Sequence, residues 1–124
     1  MRFALEFHDS EVRDVVADAG SVRLRLSAAA VRNEVGERGW LTGVVLTLAD
    51  AVLDGDAAHA FGKLVEGRLR HDGRDLARPA LPGMLCGRIE LALRLANGTQ
   101  LSVHARSIAL DVAGDARFAE DLSC

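Results

Sequence analysis

Residues 89–105 read Ile-Glu-Leu-Ala-Leu-Arg-Leu, then Ala-Asn-Gly, then Thr-Gln-Leu-Ser-Val-His-Ala, which is two alternating runs hinged on a glycine. Side chains two apart share one face of a strand, so Ile89, Leu91, Leu93 and Leu95 line one side and Glu90, Ala92 and Arg94 the other. A plain two-residue Asn97-Gly98 turn sets Leu95 opposite Gln100 and places apolar residues against polar ones along the whole ladder. A three-residue loop, Ala96-Asn97-Gly98, instead pairs Leu95 with Thr99, Leu93 with Leu101 and Leu91 with Val103. One face has to stay buried, so the second register is expected. It also sets Glu90 across from His104 on the other face, close enough for a charged pair.

The same grammar recurs along the chain. Residues 3–7 predict a short strand that meets a corner at His8-Asp9-Ser10, because Asp and Ser side chains bond nearby backbone. Residues 12–17 and 21–30 flank Asp18-Ala19-Gly20, read as a three-residue hairpin loop, with Val22, Leu24 and Leu26 inward and Arg23 and Arg25 outward. The polar, glycine-punctuated run between Arg32 and Gly39 predicts a surface loop with room for a binding role. Residues 40–48 are apolar or small nearly throughout, as in a strand covered on both faces, and Trp40 is expected to anchor one edge of the core. Residues 50–56 read as a turn, and residues 57–61 as either a helical turn capped by Asp56 or irregular chain. Residues 63–70 and 74–78 predict two more strands joined at His71-Asp72-Gly73, where Asp-Gly is a strong hairpin signal. Pro79 and Pro82-Gly83 close that unit, since proline cannot donate to a ladder. The inward set Leu101, Val103, Ala105 becomes Ile108, Leu110, Val112, a change of parity that an extra residue near Arg106-Ser107 produces as a β-bulge. The tail over residues 114–122 has Phe118 as its large anchor. The expected fold is a single all-β domain over residues 1–124, an antiparallel β-sandwich or partly open β-barrel of about eight to ten short strands.

Composition narrows the function classes. With 124 residues, 49% of them hydrophobic, one core is expected, burying roughly two-thirds of the unfolded surface. Eighteen acidic and fifteen basic residues give a net charge of −3 with both signs interspersed. That leaves no electrostatic footprint for a nucleic-acid backbone. One Trp, four Phe and no Tyr offer little for stacking bases. The amino end lacks the apolar stretch of a secretory signal and no run approaches a membrane span, so a cytoplasmic location without a membrane partner is the default expectation. No bridge is expected between Cys86 and Cys124, and Cys86 reads as a small buried hydrophobe.

Histidine supplies the candidate chemistry. None of His8, His59, His71 and His104 stands in a His-x-x-x-His or Cys-x-x-Cys spacing. His8 and Asp9, brought together with Glu90 and His104, would make a two-histidine, carboxylate-rich site with open positions. The plainer expectation is that Asp9 and Ser10 bond the corner backbone while His104 pairs with Glu90 on a solvated face. His71-Asp72-Gly73 reads as turn chemistry. No Gly-x-Ser-x-Gly elbow, Gly-x-Gly-x-x-Gly or Gly-Lys-Ser/Thr occurs, so no cofactor is expected. Arg23 with Arg25 and Arg68 with Arg70 read as solvated stripes with Asp or Glu opposite. The leading expectation is a non-catalytic binding or interaction module, with a protein partner or with self-association that covers exposed strand edges. Its candidate binding residues are His8, Asp9, Ser10, Glu90 and His104. The enzymatic alternative is a small metal-assisted hydrolase or isomerase that uses His8, Asp9, Glu90 and His104.

At His8-Asp9-Ser10-Glu11-Val12, the 32–40 loop, Arg70-His71-Asp72 and Arg117-Phe118-x-Glu120-Asp121-Leu122, the chain resembles a family of small uncharacterised bacterial proteins. Its members open with Phe-His-Asp-Ser-x-Val/Leu and end with an aromatic residue next to a Glu-Asp pair. The resemblance spans nearly the whole chain and implies a compact β-rich domain without an assigned activity. The opening motif is also similar to one in small immunity-type proteins of bacterial toxin systems, which implies action by binding.

Overall fold

The structure is a computed structural model and describes residues 2–120. In chain order the described residues form β1 (Phe3–Asp18), β2 (Ser21–Arg32), β3 (Arg38–Leu41), β4 (Val44–Ala49), β5 (Val52–Gly55), a 3₁₀ turn (Ala57–His59), β6 (Gly62–His71), β7 (Arg74–Leu76), β8 (Ala80–Leu81), β9 (Gly83–Leu95), β10 (Gln100–Val112) and β11 (Phe118–Glu120). The fold is all-β, and its centre is a closed antiparallel barrel of six strands. Around the barrel the order is β1, β2, β4, β10, β9, β6 and back to β1. The remaining strands extend its rim: β3 lies on β2, β11 on β3, β5 on β10, β7 on β6 and β8 on β1. Aliphatic side chains fill the interior, with Leu24, Leu46, Leu64, Leu69, Ile89 and Ile108 fully buried. Among the described residues no helix is long and apolar enough to cross a membrane.

The β9–β10 hairpin has the register that its alternation demands. Leu93 faces Leu101, Leu91 faces Val103 and Glu90 faces His104, and the Leu95 N–H donates to the Thr99 carbonyl at 2.9 Å. The parity change in β10 is also present, with Ala105 and then Ile108 buried. The extra residue, however, lies on β9, where Gly87 and Arg88 face the single Arg106. Gly87 has φ 130° there, a conformation open to glycine.

Several expectations need correction. The first hairpin turns on two residues rather than three: Asp18 faces Ser21, and Ala19 and Gly20 have φ 48° and 80°. Positive φ at both positions is the type I′ geometry, which matches the twist of the long β1–β2 ribbon. Residues 40–48 are split at Thr42-Gly43, and β4 alternates between buried and half-buried residues rather than being covered on both faces. Residues 52–55 form β5 against β10 instead of a turn. Trp40 is half-buried and lies outside the core, because the barrel interior is already filled by aliphatic residues. Cys86 is exposed, since it lies on the outward parity of β9. Of the two alternatives for residues 57–61 the capped turn is the one present, with the Asp56 carboxylate accepting from the Ala58 N–H at 3.1 Å. Asp121, Leu122 and Cys124 lie outside the described residues.

His8-Asp9-Ser10 is not a corner that ends a strand. β1 continues through it, and residues 7–10 face only Ala29 of β2. Before this bulge β1 pairs laterally with β8, through Phe3 and Ala4; after it β1 pairs with β6, through Glu11 and Val12. The bulge therefore lets one strand change neighbours where the barrel closes. At that seam β1 crosses β6 closely, and a Cβ on Gly67 would come within 2.5 Å of the Phe7 Cβ. We expect Gly67→Ala to lower stability by about 1–3 kcal/mol through overpacking, measured as a reduced denaturation midpoint by circular dichroism. An unchanged midpoint would show that the seam is loosely packed.

Candidate functional site at the β1 bulge

The bulge gathers polar side chains from four strands. Ser10 is fully buried. Its hydroxyl donates to the Glu6 carbonyl at 2.7 Å and accepts from the Ala30 N–H at 2.9 Å. Glu6 and Ala30 face each other in the β1–β2 register, so the hydroxyl stands in for the direct ladder bond that the extra residues of β1 disrupt. A buried backbone group left unpaired is costly, which explains a serine at this buried position.

Asp9 has φ 73°, which aspartate tolerates better than most side chains. That conformation turns its carboxylate toward two other strands. Oδ1 pairs with Lys63 Nζ of β6 at 3.1 Å, and Oδ2 accepts from an Arg38 guanidinium N–H of β3 at 3.1 Å. The Lys63 hydrogen bond above all, then Arg38 and the nearby His8, hold the Asp9 carboxyl below its ordinary value of 3.8. Beside it, Glu6 pairs with Arg32 at 3.3 Å and lies 4.0 Å from Arg38. His8 is exposed; its Nδ1–H donates to the Val65 carbonyl at 2.9 Å and its Nε2 lies 3.5 Å from Asp9.

Next to this cluster lies a shallow outer groove of about 510 Å³ lined by Asp9, Glu11, Ala28, Trp40 and Lys63. The small Ala28 leaves its floor open, and the Glu11 carboxylate accepts from the Ser27 hydroxyl at 2.7 Å. A larger groove of about 710 Å³ at one end of the barrel is lined mainly by apolar side chains, among them Phe3, Leu41 and Phe118. Asn33, Glu34 and Val35, from the run expected to be a surface loop with room for a binding role, also line it, whereas His8, Asp9, Ser10, Glu90 and His104 do not.

The structure keeps the selected residues as two groups. His8, Asp9 and Ser10 are together at the bulge. Glu90 and His104 face each other on β9 and β10, but the Glu90 carboxylate pairs with Arg88 Nε at 3.6 Å rather than with His104. Glu90 is level with Arg70 on β6, five residues beyond the Val65 that His8 contacts. At ~3.3 Å per residue the two groups are roughly 16 Å apart along the strand direction. The two histidines therefore do not converge, and among the described residues no three His, Cys, Asp or Glu side chains assemble as a metal cluster. The arginine stripes are largely paired: Arg25 with Asp14, and Arg70 with Asp75 at 3.3 Å. His71 serves its turn region by donating from Nε2 to the Cys86 carbonyl at 2.8 Å.

Sequence reasoning points to the bulge residues and gives the run that contains Arg38 room for a binding role, but nothing in it ties Arg38, Lys63 or Trp40 to Asp9, because they reach the site only through strand pairing. No spacing rule links positions 9, 38 and 63. The solitary tryptophan was a usable signal, although its hydrophobicity pointed to the core. No protein-family model, curated protein or solved structure matches this chain.

Ser10→Ala should cost about 1–3 kcal/mol, since it leaves the Ala30 N–H and Glu6 carbonyl without their bridge; urea denaturation measures this, and a loss below experimental error would mean that water replaces the hydroxyl. Asp9→Asn isolates the charge, because asparagine also accepts positive φ. A depressed folded-state pKa contributes stability that is present above the ordinary value and is lost as pH falls through the folded-state value. The stability gap between wild type and Asp9→Asn should thus be open at neutral pH and close progressively below pH 3.8, as followed by denaturation across a pH series.

Proposed function

We propose that the protein is a non-catalytic binding module that recognises a protein partner at the groove beside the β1 bulge. The observation that carries this reading is the position of Trp40. The only tryptophan of the chain stands half-buried on the outer wall and lines a groove with Asp9, Glu11 and Lys63. Tryptophan has a large apolar surface and few rotatable bonds, and such residues dominate binding energy at protein interfaces. The charged side chains around it are held in place by Arg38, Ser27 and one another, so little order remains to be created on binding. The similarity of the His8-Asp9-Ser10 opening to immunity-type proteins is in keeping with action by binding.

Co-purification from the native host tests the reading, with wild type, Trp40→Ala and Lys63→Glu as baits. Wild type should retain a partner that Trp40→Ala loses, with affinity down about thirtyfold or more, the scale of a hot-spot truncation of ~2 kcal/mol. The chain has no tyrosine, so its intrinsic fluorescence is dominated by Trp40; the emission should shift to the blue when that partner is added. A partner held equally well by all three baits, or the absence of any partner, rules the groove out.

A further inference from the structure

On the outer wall β6, β9, β10 and β5 lie side by side, and their registers set outward side chains in rows. One row holds Glu66, Arg94 and Gln100, and the next holds Arg68, Ala92, Ser102 and Asp54. Arg70 and Glu90 begin a third. In the outer two of these rows the charges on β6 and β9 are matched: Arg94 pairs with Glu66 at 3.2 Å, Arg70 with Asp75 at 3.3 Å and Glu90 with Arg88 at 3.6 Å. The middle row differs. Opposite Arg68, where a carboxylate would complete the pattern, stands Ala92, and beyond it the small Ser102. These two residues floor a depression of about 540 Å³ that Arg68 and Arg94 bound on one side and Asp54 on the other. Arg68 reaches only Asp75, at 3.9 Å, a carboxylate that Arg70 holds more closely. Asp54 is exposed, and among the described residues no ion pair engages it.

We propose that this depression binds a small zwitterion of dipeptide length, with its carboxylate over Ala92 and its ammonium at Asp54. A carboxylate above Ala92 takes the place that the register leaves empty, within reach of the Arg68 fork, a geometry suited to two parallel hydrogen bonds. The Ser102 hydroxyl and the Gln100 amide, which line the same depression, supply neutral hydrogen-bonding groups between the two ends. Glu66 does not oppose an anion there, because Arg94 already neutralises it. Asp54 sets the other end and the length. It lies on β5, two strands from Ala92, and two strand spacings are about 10 Å. The aspartate side chain and one hydrogen bond of about 3 Å take up nearly half of that, which leaves roughly 6 Å between the ligand's charges. The two ends of an extended dipeptide are roughly 6 Å apart, whereas a free α-amino acid carries both charges on one carbon and is too short. The depression shares no lining residue with the Trp40 groove.

Amide chemical shifts of the ¹⁵N-labelled protein, titrated with glycylglycine, acetyl-glycylglycine and glycylglycinamide, test both ends separately. Glycylglycine should give saturable shifts centred on Ala92, Ser102 and Asp54, and should bind about tenfold more tightly than either blocked peptide, since each lacks one charge-assisted contact. Asp54→Asn should weaken glycylglycine to the level of acetyl-glycylglycine and leave the latter unchanged. Arg68→Gln should weaken both of these and leave glycylglycinamide unchanged. Arg68 and Asp54 are exposed, so both variants should keep the wild-type melting temperature. Shifts that do not saturate, shifts centred on another wall, or blocked peptides that bind as tightly as glycylglycine overturn the proposal. None of these outcomes depends on whether Trp40 binds a partner.

Discussion

The structure depends on the hydroxyl of Ser10. A barrel closes only if its first strand can pair on both sides, and β1 does so by leaving β8 and joining β6 part-way along its length. The change of neighbour requires extra residues, which break the ladder to β2 between Glu6 and Glu11. Ser10 repairs that break by standing between the Glu6 carbonyl and the Ala30 N–H. Bulges of this kind bend a strand and re-aim its side chains, and Asp9 is the side chain that is re-aimed.

The same bend explains why the densest charge cluster of this wall lies at the closure seam. Once Asp9 adopts positive φ, its carboxylate meets Lys63 from β6 and Arg38 from β3. Closure thereby acquires ion pairs that tie strands distant in sequence. Exposed pairs are individually weak, so the aliphatic interior carries the stability and the ion pairs fix geometry. Trp40 follows the same logic: with leucine, isoleucine and valine filling the barrel, an indole on the outward parity of β3 is left for the surface.

How far the fold was legible depended on whether the determining contacts were local. The β9–β10 hairpin was readable to the residue, because a wrong register would have turned its leucines to solvent. The Asp72-Gly73 turn was readable for a similar reason, being local backbone chemistry, whereas the Asp56 cap stood in the sequence as one of two alternatives. At Ala19-Gly20 the loop length was misread, since the twist of two long strands rather than the turn residues selected type I′ geometry. At His8-Asp9-Ser10 the turn-forming residues form a bulge within a strand rather than a corner. A propensity to bond nearby backbone does not distinguish those two uses. The candidate site is half visible in the sequence: His8, Asp9 and Ser10 stand together in the chain, while Arg38, Lys63 and Trp40 join them only through strand pairing.

By itself the sequence determined the alternation of inward and outward residues, the tight turns and the all-β class, because each follows from side-chain parity and from backbone preferences a few residues long. Only the tertiary structure decided that the sheet closes, that β1 serves two neighbours and that Asp9 meets Lys63 and Arg38. It also decided that His8 and His104 stay apart, and that Arg94, Arg70 and Arg88 find Glu66, Asp75 and Glu90 as partners. The physical reason is that strand order is set by how whole faces pack together, and parity along a strand constrains which face a side chain takes without specifying which strand lies beside it.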